Sequence, residues 1–180
     1  DSLLTRITFP SINEELFVYD SLNSDVSSRG NLLQHTRLAG PLGGDQSQII
    51  ELFEYDPAVN SNTNFLTRHV DPRGNVTLYD YDSNGNRTSS TQVRSSDPVI
   101  IESWTYDVFG RATSRTFPDN GSGSHRHDAY NYYDASDGPQ NGYLKESIVG
   151  SGVFDLTTTY EYDAVGNVTR VIDPNGSDTQ

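Results

Sequence analysis

The chain has 180 residues, of which 25 are acidic and 12 basic, giving a formal net charge of −13 at pH 7. This balance excludes duplex nucleic acid and anionic membranes as partners, because both require a cationic surface. Without cysteine there is no disulfide framework. Without a run of about 18 apolar residues we expect no membrane insertion.

Hydrophobic residues make up only 33% of the chain, whereas aromatic residues reach 11%. Disordered chains are usually poor in aromatic residues. The two values together predict a folded β protein with a thin core.

A short motif of an aromatic residue, any residue, Tyr and Asp recurs along the chain. Successive aspartates are 25 to 36 residues apart, and a sixth copy, Asn131-Tyr132-Tyr133-Asp134, keeps Tyr-Asp but has Asn in place of the first aromatic residue. The five full copies are Phe17-Val18-Tyr19-Asp20, Phe53-Glu54-Tyr55-Asp56, Tyr79-Asp80-Tyr81-Asp82, Trp104-Thr105-Tyr106-Asp107 and Tyr160-Glu161-Tyr162-Asp163. Because the two aromatic residues of a copy are two positions apart, they share one face of a strand.

Turn signals follow the aspartates. Gly85, Gly110 and Gly166 each stand three residues after an aspartate, and Asp173-Pro174-Asn175-Gly176 closes the last copy. We expect each aspartate to accept backbone N–H bonds of its turn, and Gly85 and Gly166 to have positive φ. Each copy therefore predicts strand, turn, strand and turn.

Stretches rich in Ser, Asn, Asp, Gly and Pro interrupt this pattern and predict loops. We expect essentially no helix beyond a short turn, since no segment has a sustained period of 3.6 residues. The predicted loops are 36–48, 57–64, 89–97, 119–128 and 135–142.

The motif Tyr-x-Tyr-Asp-x-x-Gly-Asn/Arg-x-Thr, followed by Asp-Pro-x-Gly, resembles the YD repeat of Rhs proteins, which also occurs in the shells of Tc toxins and in teneurins. The resemblance implies tandem β-hairpins in one curved, spiralling antiparallel sheet, a fragment of a hollow YD shell. We expect one array over residues 1–180, truncated at both ends. Its units lie near 4–10, 17–36, 53–75, 76–102, 103–129, 130–150 and 159–176.

The repeated residues are expected to be architectural. Each aromatic pair is predicted to stack on the pair of the neighbouring hairpin, forming an aromatic ladder. Arginines such as Arg68, Arg111, Arg115 and Arg170 are predicted to stack on tyrosines or to pair with the motif aspartates. The structural positions are Tyr19, Asp20, Tyr55, Asp56, Tyr79, Tyr81, Asp82, Gly85, Trp104, Tyr106, Asp107, Gly110, Tyr133, Asp134, Tyr160, Tyr162, Asp163 and Gly166.

Three binding alternatives remain open at this point. Asp82, Asn84 and Asn86 alternate around a Gly as calcium ligands do, but the downstream bidentate Glu is missing, which favours a metal-free turn. His125 and His127 form a two-imidazole pair for a transition metal, although their Gly/Ser surroundings favour a solvated loop. Trp104 or a row of tyrosines offers a platform for a glycan, although packing is the favoured role of Trp104.

The sequence predicts no catalytic residue, since the carboxylates are spread one per copy instead of forming an acid/base pair. The predicted function is a structural module of a YD/Rhs shell that encloses or presents a polypeptide in a secreted or cell-surface protein of bacterial type. Its predicted partners are further YD repeats of the parent chain and an enclosed polypeptide, and no cofactor is required. The alternative is a carbohydrate- or calcium-binding extracellular adhesion module.

Overall fold

A computed structural model describes residues 3–40, 47–56, 64–93, 99–121 and 123–179. In these residues fourteen strands form a sheet whose order is the order of the chain, and every described pair of neighbours is antiparallel. This confirms the all-β prediction of consecutive hairpins.

The chain divides into two compact units, Asp1–Ile100 and Ile101–Gln180. The first unit contains β1 (Arg6–Thr8), β2 (Glu14–Tyr19), β3 (Leu32–Leu38), β4 (Ile49–Glu54), β5 (Arg68–Val70), β6 (Val76–Tyr81) and β7 (Arg87–Val93). The second begins within β8 (Ile100–Tyr106) and continues with β9 (Ala112–Asp119), β10 (His125–Tyr132), β11 (Leu144–Val149), β12 (Leu156–Tyr162), β13 (Val168–Ile172) and β14 (Asp178–Thr179).

Helical structure in the described residues is limited to short 3-10 segments at Val26–Ser28 and Ala135–Gln140. Both lie in connections between strands, as the lack of helical periodicity predicts. No helix in the described part of the chain has the length and apolar character that a bilayer span requires.

Two of the predicted loops, 89–97 and 119–128, are partly wrong because polar runs in them form strands, while 94–97 lies outside the described residues. Residues 89–93 belong to β7, and residues 125–128 belong to β10. In these strands Ser, Thr and His lie opposite other half-exposed side chains, for example Ser90 opposite Tyr79. Polarity is a poor loop signal in such a sheet, since strand stability comes from cross-strand pairs and not from deep burial.

The other predicted loops fare differently. Residues 36–38 belong to β3, while 41–46 and 57–63 lie outside the described residues. Residues 135–142 connect β10 and β11 as predicted, through the second 3-10 segment.

The core is thin, as the composition predicts. Tyr133, at 8% exposure, is the buried hydrophobic residue of the described chain. Apart from Gly150, the other buried residues of the described chain are polar: Ser28, Thr36, Thr67 and Asp128. Thr67 shows how they are accommodated, because its hydroxyl donates to the Glu54 carbonyl (3.0 Å) and accepts from the Asp56 amide (2.9 Å).

A β-bulge recurs where a strand ends on the second tyrosine of the motif. The register of β6 against β7 shifts between Asp80 and Tyr81, which leaves Thr88 as the extra residue. The same shift leaves Thr113 extra in the β8–β9 hairpin and Thr169 extra in the β12–β13 hairpin. The threonine of the sequence motif is therefore the bulged residue, and the bulge re-aims the tyrosine side chain at the strand end.

Candidate functional site

The most regular feature of the chain is a five-residue turn, of which 82–86 is an example. Asp82 N–H donates to the Asn86 carbonyl (2.9 Å), and Gly85 N–H donates to the Asp82 carbonyl (3.1 Å). The Asp82 carboxylate lies inside this ring. Its Oδ1 accepts from the Asn84 and Asn86 amides (both 2.9 Å), and its Oδ2 accepts from Asn86 Nδ2 (2.9 Å). We call this arrangement the aspartate turn.

The aspartate turn closes hairpins at both ends of the strands. At the end that follows the second tyrosine it occurs at 82–86, 107–111 and 163–167. At the opposite end it occurs at 71–75 and 173–177. Asp71 and Asp173 are thus equivalent to the YD aspartates and are missing from the predicted structural positions. The shared Asp-x-x-Gly spacing was the signal that could have found them.

Hydrogen bonding favours the ionised form of Asp71, Asp82 and Asp163. The side chain of Asn86 lowers the pKa of Asp82, and backbone N–H groups of the same turn lower it further. Asn75 has the same effect on the pKa of Asp71 and Asn167 on that of Asp163. Donors that favour the charged form stabilise the turn only while the aspartate is ionised.

The carboxylate of Asp82 therefore has its acceptor sites directed at its own turn. The turn at 71–75 has the same geometry with Pro and Arg at its two central positions, which provide no carboxylate or amide oxygen from a side chain. In the described residues, no group of three or more His, Asp or Glu side chains is placed to hold a metal ion. Calcium independence stays a prediction.

The turn glycines have the predicted positive φ, 89° at Gly85 and 92° at Gly166. These two glycines are subject to a second constraint that the sequence motif does not predict. An aromatic ring from a preceding connection lies over each of the two. A Cβ at Gly85 would lie 2.6 Å from Phe65 Cζ, and one at Gly166 would lie 2.6 Å from the Tyr143 hydroxyl. Glycine is therefore required both for backbone conformation and for ring packing.

These covering rings also contact the second tyrosine of the motif. Phe65 stacks on Tyr81 with ring centroids 4.9 Å apart, and the Tyr81 hydroxyl donates to the Leu66 carbonyl (2.9 Å). Tyr143 packs on Tyr162 at 4.9 Å. Burial raises the pKa of both Tyr81 and Tyr162. The second tyrosine thus packs on the connection before it, through residues that the repeat motif does not contain.

The first aromatic residue of the motif has a different partner from the predicted one. Phe17 stacks on His35 (4.8 Å) and Phe53 on His69 (4.9 Å), each directly across the strand pair. The prediction that each aromatic pair stacks on the pair of the next hairpin is wrong at these positions. The strand that carries the next aromatic pair is two strands, or about 10 Å, away. Only the intervening strand is within stacking distance.

Trp104 follows the same rule. It is half-buried and lies opposite Arg115, whose guanidinium carbon is 5.9 Å from the indole centroid. Tyr79 is likewise approached by Arg87 at 5.6 Å. In four of the five full copies the first aromatic residue therefore packs against a cationic or imidazole side chain of the neighbouring strand, whereas Tyr160 lies opposite Val171.

Three motif aspartates begin longer connections instead of aspartate turns. Asp20 accepts from Asn23 Nδ2 (2.6 Å), Asp56 leads into residues outside the described chain, and Asp134 caps the 3-10 segment. Asp134 Oδ1 accepts from the Ser136 amide (2.7 Å), and Ser136 lowers the pKa of Asp134.

The sixth copy also places its tyrosines differently from the prediction. Tyr132 lies at the bulge and donates from its hydroxyl to the Ala112 carbonyl (2.8 Å), as Tyr81 does to Leu66. Tyr133 is an additional residue whose ring meets Tyr162 edge to face at 6.5 Å. Tyr132 is therefore the equivalent of the second tyrosine, and Tyr133 is the buried residue.

The predicted pairing of arginines with motif aspartates is confirmed for Arg111 and wrong for Arg68, Arg115 and Arg170, which pair with other carboxylates. Arg68 pairs with Glu54, Arg115 with Glu102, and Arg170 with Glu161 (3.1 Å) and Asp178 (2.9 Å). Only Arg111 pairs with a motif aspartate, Asp107, where its Nε is 2.7 Å from Oδ2 and replaces the asparagine amide. Most of these partners are strand residues on the adjacent strand.

An acidic and imidazole row crosses β2 to β5 in the first unit. His35 Nε2 is 3.3 Å from Glu15 Oε2 and His35 Nδ1 is 3.0 Å from Glu51 Oε2. His69 Nε2 is 3.8 Å from Glu51 Oε1 and has no hydrogen-bond partner among the described atoms. The row was missed because its members are separated by 16 to 20 residues in sequence.

The predicted solvated loop at His125 and His127 is wrong. Both lie on β10, where they share one strand face, while Arg126 and Asp128 share the other. His125 Nδ1 is 3.0 Å from the Phe117 carbonyl and His127 Nδ1 is 3.1 Å from the Thr116 hydroxyl. Pairing with β9 explains the strand, since a Gly/Ser composition before residue 125 does not prevent it.

Comparison with known proteins supports this geometry. The RHS Repeat family matches residues 60–96 and 154–178. No curated protein matches the sequence. Among solved structures, TcdB2-TccC3-Cdc42 superposes with a TM-score of 0.58 at 16% identity, over 88% of this chain and 9% of the other. TcdB2-TccC3 without its hypervariable C-terminal region gives 0.60 at 21% identity, over 80% and 7%.

The chain thus spans less than a tenth of the length of the structures it resembles. At these identities the likeness concerns the fold. The sheet of consecutive antiparallel hairpins, the repeated YD motif and the matched RHS repeats agree with one another. The chain carries RHS repeats at residues 60–96 and 154–178 and resembles the YD/Rhs-repeat family in motif and fold.

Proposed function

We propose that this chain is a stretch of wall in a hollow YD shell, within which a longer parent protein encloses a polypeptide. The observation that carries the proposal is the use of one aspartate turn at both ends of consecutive hairpins. Each hairpin pairs only with its neighbours in sequence, so a sheet of this kind is extended by adding repeats. The proposed partners are further repeats and the enclosed polypeptide.

The proposed role is structural, not enzymatic, and requires no cofactor. The turn carboxylates accept hydrogen bonds from their own backbone, and most arginines pair with neighbouring strands. These groups maintain the sheet, which is what a wall requires. The alternative of a carbohydrate- or calcium-binding module gains no support from the described residues.

We also propose that the parent protein is a secreted or surface-exposed bacterial protein. The net charge of −13 suits a soluble particle. The similar solved structures are complexes named TcdB2-TccC3, and the family resemblance to toxin shells supports the same setting.

Cryo-electron microscopy of the full-length parent protein, combined with proteinase K digestion, tests the proposal. We expect a closed lumen and a polypeptide that resists digestion. Replacing Asp82 and Asp163 by Ala should open two turns and make that polypeptide protease-sensitive, whereas Glu161→Ala is the matched surface control. An extended ribbon without a lumen, or equal digestion of intact and turn-deficient proteins, would overturn the proposal.

A further inference from the structure

The acidic and imidazole row of the first unit consists of Glu15, His35, Glu51 and His69. His35 lies directly opposite Glu51 on β4, and Glu15 on β2 is two positions away from Phe17, the other residue opposite His35. Each ring nitrogen of His35 therefore faces a carboxylate. Nδ1 is 3.0 Å from Glu51 Oε2, and Nε2 is 3.3 Å from Glu15 Oε2.

A neutral imidazole cannot satisfy both of these contacts. It has one N–H donor and one nitrogen that only accepts, and an ionised carboxylate also only accepts. With a neutral His35, one carboxylate would face the lone pair of a ring nitrogen at hydrogen-bond distance. The imidazolium has a donor on each nitrogen, so both contacts become charge-assisted hydrogen bonds. The contacts of His35 are therefore complete only in its protonated form.

The charges around His35 also favour one additional proton. The ionisable groups that face the ring from the packed strands are Glu15 of β2, Arg37 of β3, Glu51 of β4 and His69 of β5. Arg37 Nε is 3.6 Å from Glu15 Oε1. While the histidines are neutral, two carboxylates and one guanidinium leave one negative charge uncompensated. A proton on His35 compensates this charge.

Partial burial makes the compensation important. The side chain of His35 is 12% exposed, and those of Glu15 and Glu51 are 26% and 25% exposed. Charges at this depth are screened less by water and salt than surface charges are. Burial alone favours a neutral ring, but it also disfavours carboxylates that have no cation beside them. His35 lies between both carboxylates, where one proton serves the two.

His69 extends the row to β5. Its ring stacks on Phe53, and its buried Nε2 has no hydrogen-bond partner among the described atoms. This nitrogen lies 3.8 Å from Glu51 Oε1, so a proton on it would form an ion pair. Asp71, on the same strand side, accepts hydrogen bonds from its own turn instead. His69 is therefore the second group of the row that acidification would engage.

We propose that this row is a proton-binding site that couples the stability of the first unit to pH, with the proton held by His35 between Glu15 and Glu51. The stabilisation should be fully present below about pH 6.5, near which histidine of an unfolded chain titrates, and be lost as the pH rises further. It should also be lost below about pH 4.3, where glutamates of an unfolded chain become protonated. The site is independent of whether the parent protein forms a shell.

Thermal melts at about pH 5.5 and about pH 8 test the proposal, because histidine is the side chain whose charge changes between these values. We expect a melting temperature about 2–4 °C higher at the lower pH for a chain of this size. Glu51→Gln keeps the side-chain shape, removes the charge and should abolish most of this difference. Glu161→Gln removes the same charge from an exposed ion pair on β12 and should leave the difference in place.

Nuclear magnetic resonance of the imidazole C–H groups in the unchanged chain locates the proton directly. His35 should remain protonated at a pH at which His127, whose Nδ1 faces the Thr116 hydroxyl, is already neutral. Equal titration of these two histidines would overturn the proposal. So would a higher melting temperature at about pH 8 than at about pH 5.5. Equal loss of the difference in Glu51→Gln and Glu161→Gln would assign the effect to the net charge of the chain and not to the row.

Discussion

Replacing single turn glycines by alanine separates two requirements of the aspartate turn, the positive φ of its glycine and the packing of an aromatic ring on that glycine. Gly74 and Gly85 occupy the same turn position and have similar φ, 81° and 89°. A Cβ at Gly74 would meet no atom within 4 Å, whereas one at Gly85 would lie 2.6 Å from Phe65 Cζ. Gly74→Ala therefore tests backbone conformation alone, and Gly85→Ala tests conformation together with ring packing.

The expected costs follow from these contacts. A left-handed conformation costs alanine about 1–2 kcal/mol relative to glycine, so Gly74→Ala should lower the free energy of unfolding by that amount. Gly85→Ala must in addition displace Phe65 from its stack on Tyr81. Because an aromatic pair contributes about 0.5–1.5 kcal/mol beyond its buried area, the total should be about 1.5–3.5 kcal/mol.

Urea titration followed by far-ultraviolet circular dichroism measures the difference. Fluorescence of Trp104, the single tryptophan of the chain, reports on the second unit and provides a reference within the same protein. In a Phe65→Ala background the ring is absent, so Gly85→Ala should then cost no more than Gly74→Ala. This coupling is the specific signature of ring packing on the turn.

Equal costs for Gly74→Ala and Gly85→Ala in the otherwise unchanged chain would refute the packing argument. The same conclusion would follow if Phe65→Ala left the cost of Gly85→Ala unaltered. A negligible cost at both positions would refute the conformational argument as well, since both turns require positive φ.

Three further predictions concern the side chains of the repeat. Tyr162→Ala should lower the free energy of unfolding by about 2–3 kcal/mol, slightly below the range of fully buried aromatic residues. Glu161→Ala, which breaks a surface ion pair with Arg170, should lower it by less than about 1 kcal/mol. Equal shifts of the melting temperature for the two variants would contradict the packing of Tyr162. The pKa of Asp82 and of Asp163 is lowered on folding, so the stabilisation by these carboxylates should be fully present above the unfolded-state pKa of about 3.9 and be lost as the pH falls below it. Asp82→Asn should weaken this pH dependence of the melting temperature, measured between pH 2 and pH 6. Calcium or a chelator should leave the melting temperature unchanged, and a calcium-dependent rise would restore the metal alternative.

The repeat and its fold could be predicted because their signals are local. The spacing of Tyr81, Asp82 and Gly85 specifies a strand end and a turn within five residues, and such patterns depend little on distant partners. The partners of the aromatic residues could not be predicted in the same way. Whether Phe17 meets another aromatic ring or His35 depends on strand register, which the motif does not specify.

The failed loop prediction at β10 has a related cause. The residues before His125 are typical of loops, and nothing in the local sequence indicates that β9 extends as far as Asp119 to pair with it. In a sheet with a thin core, polar strands are stabilised by their neighbours and not by a hydrophobic face. Amino-acid composition therefore does not distinguish strands from connections in this sheet.

Regular and irregular connections have different consequences for function. In the aspartate turn the carboxylate, the backbone amides and the glycine are all engaged in closing the hairpin, so only the two central side chains, such as the exposed Val108 and Phe109, are left to contact a partner. The β11–β12 connection closes its hairpin through Gly150 and the buried Asp128 instead, which leaves Phe154 in solvent. Specific recognition in this protein is therefore expected where the repeat is broken, and the uniform turns define the scaffold on which such sites are placed.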